Sequence, residues 1–213
     1  MGGNSDFIGE ILVWAIPTIF AIILHEVMHG VVARAFGDDT AERAGRLTLN
    51  PLSHIDPIGT ILLPGFLIFA HLPVFGYAKP VPVNFGALRG GRGAMVAVSA
   101  AGPLTNLTLA VISAGARSIL IQNLAAGSGL AHSAEQMLTA SVLINVMLAV
   151  FNLLPLLPLD GGRVMAGILP LDLARRYARL ERYGFLVLFL LLWTGAIGVV
   201  IDPIIEVIAR MLL

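Results

Sequence analysis

Residues 94–116 and 136–159 contain no Asp, Glu, Lys or Arg, and a chain with two such stretches must find a solvent for them. A bilayer core about 30 Å thick takes about 20 mainly apolar residues in helix, so each stretch is long enough to span. Two more qualify. Residues 183–201 are uncharged, and residues 11–33 are interrupted only by His25, Glu26 and His29. Of the 213 residues 57% are hydrophobic and 12% charged, against about 25% charged in an ordinary soluble domain. The reading is an all-α polytopic membrane protein, one domain over 1–213, with about four transmembrane helices near 11–33, 94–116, 136–159 and 183–201. Asp202-Pro203 is expected to break the fourth, and residues 204–213 either continue it or lie along the surface.

A fifth apolar stretch, 57–70, is too short to cross and carries Pro64-Gly65 at its middle, which predicts a re-entrant or interfacial hairpin. Full crossing there would also put the ends of the first and third spans on opposite faces. With a hairpin, 34–93 and 160–182 share one side, and 11 of the 13 Lys and Arg residues fall in them, Arg117 and Arg210 being the exceptions. By the positive-inside rule that side is cytoplasmic and the protein is a multi-pass protein of the cell membrane. Between the hairpin and the second span, Gly76-Tyr77-Ala78-Lys79-Pro80-Val81-Pro82-Val83-Asn84 reads as a short β segment at the membrane surface. Its prolines confine it to an edge, where it serves either as an extended connector or as a template for an unwound peptide.

The chain has no cysteine, so any metal rests on His, Asp or Glu and no thiol nucleophile exists. The formal charge is zero and gives no basic footprint for nucleic acid. Residues 1–10 lack a basic residue and a cleavage pattern, so the first apolar stretch is read as a retained span.

His25-Glu26-Val27-Met28-His29 sets two imidazoles at i and i+4 on one helical face, within reach of one metal ion. In metalloprotease chemistry the carboxylate beside the first His takes a proton from water and later passes it to the leaving amine. An ionised Glu inside an apolar span costs about 2.5 to 3.5 kcal/mol on insertion scales and marks function; the bland alternative is a histidine pair bonding helices together. A catalytic zinc site needs a third protein ligand. The extended soluble motif cannot supply it, since Val32 and Ala35 stand where its Gly and His belong. Candidates elsewhere are His54, Asp56, His71, Asp160 and Asp172. Asp160 has the best context, because Pro155 and Pro158 loosen the helix end before it and Gly161-Gly162 allow a tight turn after it. A plain turn or cap at Asp160 is the competing reading.

Three motifs together resemble the site-2 proteases, the intramembrane zinc metallopeptidases: His25-Glu26-x-x-His29, Ala101-Gly102-Pro103-Leu104-Thr105-Asn106, and Asn152-x-x-Pro155-x-x-Pro158-Leu159-Asp160-Gly161-Gly162. The segments Asn50-Pro51-Leu52-Ser53-His54-Ile55-Asp56-Pro57 and Lys79-Pro80-Val81-Pro82-Val83-Asn84 read like its compact prokaryotic members, without room for an inserted PDZ or CBS domain. The resemblance implies Zn2+ held by His25, His29 and Asp160, Glu26 as catalytic base, and a transmembrane or membrane-tethered protein substrate. Asn106 and Asn152, amides within uncharged spans, are candidates for holding substrate backbone or steadying an oxyanion, or for bonding helices together. An ion transporter and a non-catalytic membrane chaperone are the other classes such residues allow.

Overall fold

The protein is described here by a computed structural model covering residues 3–72, 76–123 and 129–213, with side chains over 9–72, 76–122 and 131–213. In chain order the helices are α1 (Gly3–Ala35), α2 (Thr40–Arg43), α3 (Leu63–Phe69), α4 (Gly91–Asn123), α5 (Gly129–Asn152), α6 (Asp160–Ile168), α7 (Leu171–Ala178), α8 (Glu181–Trp193) and α9 (Ala196–Leu212). A 3₁₀ turn occupies Pro51–His54, and a π-helical stretch, Pro57–Leu62, leads into α3. Three helical stretches are long and apolar enough to cross a membrane: Gly9–Ala35, Gly91–Gln122 and Ala131–Asn152. The α8 and α9 pair adds a fourth if its two bent halves count as one span.

Helices α1, α4 and α5 pack on one another, α6 lies against α4, and α9 against α5. Their contacts use small side chains, among them the fully buried Ala33, Ala110 and Ala149. In lipid, helices associate through close packing, not through escape from water, and small residues let the backbones approach.

Several boundaries differ from the sequence expectation. Helix α5 stops at Asn152, not at 159, because Pro155 and Pro158 have no N–H to continue the ladder. The fourth span is not a straight 183–201 helix. It breaks at Gly195, whose φ of 71° is left-handed, and α8 and α9 meet there at 76°. Glycine takes that conformation without a Cβ penalty, whereas Asp202-Pro203, the expected break, lies inside α9. Residues 204–212 therefore continue a helix.

The segment at 57–70 is one short helical run, Pro57–Phe69. Pro64 does not interrupt it: it falls where the π-helical stretch gives way to α3, and Gly59 O, five residues earlier, accepts from Tyr77 N–H instead. The chain then comes back, and Tyr77 N–H donates to Gly59 O at 3.1 Å. The expected β segment is absent among the described residues. Residues 76–84 are extended without strand pairing, because Pro80 and Pro82 lack donors and the amides of Tyr77, Lys79 and Val81 go to three separate partners.

Candidate metal centre

His25 and His29 sit one turn apart near the carboxyl end of α1, where both are buried. Asp160 opens α6. A Cβ on Gly161 would lie 2.2 Å from Leu153 O and one on Gly162 2.5 Å from Leu157 N. The two glycines thus let the turn fold back onto 153–157, which aims the Asp160 carboxylate at α1. His25 Nε2 is 3.1 Å from Asp160 Oδ2, His29 Nε2 is 3.3 Å from the same oxygen, and the two Nε2 atoms are 3.2 Å apart.

The far side of each ring determines what these atoms are. His25 Nδ1 is 2.6 Å from Asn106 Oδ1 and His29 Nδ1 is 2.7 Å from Val98 O. A carbonyl oxygen only accepts, so each Nδ1 carries the proton and each Nε2 presents a bare lone pair. The amide of Asn106 is oriented by its own donors, since Nδ2 bonds Ala21 O at 3.2 Å and Asn145 Oδ1 at 2.8 Å. Two lone pairs and a carboxylate oxygen that meet at these distances repel one another unless a cation sits among them.

Of the other sequence candidates, Glu26 is half-buried and its Oε2 accepts from Val81 N–H at 2.9 Å. Asn106 is fully buried and touches His25 at Nδ1, behind the ring and away from the converging Nε2 atoms. Asn152 is half-buried at the end of α5 and donates to Leu148 O at 2.9 Å. His54 is buried in its own loop, with Nε2 on Thr48 O, and Asp56 caps the Pro57–Leu62 turn. Among the described residues the metal-capable cluster is His25, His29 and Asp160. Asn145, which holds the Asn106 amide, was legible as another amide in an uncharged span; the Val98 carbonyl and the Val81 amide leave no side-chain signal.

The family model for peptidase family M50 matches residues 116–195. The chain is 41% identical over 187 residues to the candidate zinc metalloprotease YwhC of Bacillus subtilis (strain 168), covering 86% of this chain and 80% of that protein. The chain belongs to peptidase family M50. Candidate zinc metalloproteases named Rip2 also match this M50 chain. The Mycolicibacterium smegmatis protein is 31% identical over 91% of this chain and 71% of its own length, and the Mycobacterium tuberculosis H37Rv protein 31% identical over 81% and 63%. No solved structure matches the chain.

As an M50 member the protein is a membrane zinc metalloprotease, and the residues present suit the metal. Ligand atoms about 2.0 to 2.2 Å from a tetrahedral zinc stand roughly 3.3 to 3.5 Å from one another, close to the three separations here. Room for the ion is also built in. A Cβ on Gly102 of α4 would lie 2.5 Å from His29 Nε2 and 2.6 Å from His25 Nε2, so any side chain there would fill the space the ligands face.

Proposed function

We propose that this chain is an intramembrane endopeptidase that cleaves transmembrane or membrane-tethered proteins at the cytoplasmic face of the cell membrane, with residues 1–213 forming one catalytic domain. The triangle of His25 Nε2, His29 Nε2 and Asp160 Oδ2, with all sides between 3.1 and 3.3 Å, carries the reading. Its histidines lie within an apolar helix long enough to span, so a substrate reaching them is held at membrane depth. Sidedness rests on the 11 of 13 Lys and Arg residues in 34–93 and 160–182, the segments adjoining both halves of the site.

His25, His29 and Asp160 would hold zinc, which polarises a carbonyl and makes water a stronger acid. Everything else falls to the chain. Glu26 takes the proton of the attacking water on one carboxylate oxygen and delivers it to the departing amine. Asn106 and the Val98 carbonyl keep the imidazoles in the tautomer that leaves Nε2 free. Asn152 fits a contact to substrate backbone or oxyanion, since its Nδ2 has a second hydrogen beyond the one given to Leu148 O. The substrate must unwind locally, because helical carbonyls are already bonded and covered.

The experiment is cleavage of a single-span model substrate by the purified protein in liposomes. Glu26→Gln should lower kcat by about a hundredfold to ten-thousandfold while zinc stays bound. Parent-rate cleavage by that variant would remove Glu26 from the mechanism.

A further inference from the structure

The extended run after α3 reaches the catalytic helix at one atom. Along such a run alternate amides face the same way, and those of Tyr77, Lys79 and Val81 donate in turn to Gly59 O at 3.1 Å, His54 O at 2.9 Å and Glu26 Oε2 at 2.9 Å. The first two bonds are internal to the loop. The third leaves it and ends on a carboxylate.

We propose that the backbone N–H of Val81 is a positioning donor for Glu26, fixing one carboxylate oxygen so that the other faces the attacking water. This rests on the reading of Glu26 as the base. Four observations support it. Pro80 and Pro82 flank the residue, restrict the backbone on both sides of it and offer no competing N–H. Lys79 is pinned twice, by its own amide and by the guanidinium of the buried Arg46, whose Nη2 donates to Lys79 O at 2.7 Å. Asn84, on the other side, donates to Asp38 Oδ2 at 2.6 Å. Val81 itself is 6% exposed and packs over Gly30, one turn beyond Glu26, so closely that a Cβ on that glycine would stand 2.9 Å from Val81 Cγ1. The donor is thus held from before, after and beneath.

A glutamate side chain without such a bond wanders among rotamers, and reaction needs its oxygen within hydrogen-bond reach of the water. The amide therefore acts on kcat and leaves ligand geometry alone, since it touches none of the three metal-binding side chains.

The test replaces Val81 with α-hydroxyvaline, which turns the Pro80–Val81 amide into an ester and deletes the N–H with the side chain retained. Full-length protein in liposomes should lose about 10- to 100-fold in kcat, the worth of a hydrogen bond to a charged group, with KM for the model substrate and zinc affinity by chelator competition within about twofold of the parent. Val81→Pro, which also lacks the donor, should fall in the same way, and Val81→Ala, which keeps it, should recover most of that loss. Parent kcat in the ester protein overturns the proposal, as does a loss of zinc affinity equal to the loss of kcat. Glu26→Gln separates the two ideas: if it is inactive while the ester protein is not, the base stands and only the amide's role fails.

Discussion

The contact of α1, α4 and α5 around Asn106 and the cluster where α5 meets α8 and α9 solve the same problem in opposite ways. In the first, His25, Asn106 and Asn145 are buried from three different helices and bonded in a chain. In the second, the buried apolar side chains of Val142, Val146, Leu188, Ile197 and Ile201 pack on one another. An unpartnered polar group in an apolar interior costs several kcal/mol, so the first region works only if every member is satisfied. The second asks only for shape. The polar chain through Asn106 and Asn145 thus ends on a side chain of the metal centre, whereas the second cluster is assembled by apolar packing.

That contrast is broken or sharpened by measuring zinc affinity across both regions. Gly102→Ala should be most severe, a hundredfold or more weaker by chelator competition, because its Cβ enters the space between the two Nε2 atoms and neither helix can yield cheaply. Undiminished zinc binding would mean that α4 does not close over the ion. Asn106→Ala should weaken zinc by about tenfold to a hundredfold, since His25 loses the acceptor that sets its tautomer, and Asn145→Ala by less, acting one bond further away. Equal effects at the two asparagines would show the network failing as a unit. Leu188→Ala should change zinc affinity by no more than about twofold while reducing stability to denaturant by roughly 1 to 3 kcal/mol through lost packing. A large zinc effect there would erase the distinction between the regions.

Much of this was legible beforehand, and its limits follow from what neighbours in sequence can convey. The i and i+4 spacing of His25 and His29 is a property of one helix, and the apolar runs announce spans by length alone. The third ligand was harder, because Asp160 competed with four other residues and was favoured by its flanking glycines and prolines and by the family resemblance. The broken fourth span was misplaced: Asp202-Pro203 looked like the stop, yet the membrane helix accommodates Pro203 and the turn falls at Gly195.

Residue order alone determined that the chain is a helical membrane protein, that a metal would rest on imidazole and carboxylate, and which pair of histidines share a face. Those are consequences of composition and of a helical repeat that needs no partner. Only the tertiary structure decided that an oxygen 131 positions beyond His29 lies 3.3 Å from its Nε2, that Asn106 stands behind His25, and that a backbone amide meets Glu26. Such meetings depend on how separate helices and a returning loop pack, and main-chain donors and acceptors are present at nearly every residue, so no local pattern singles one out.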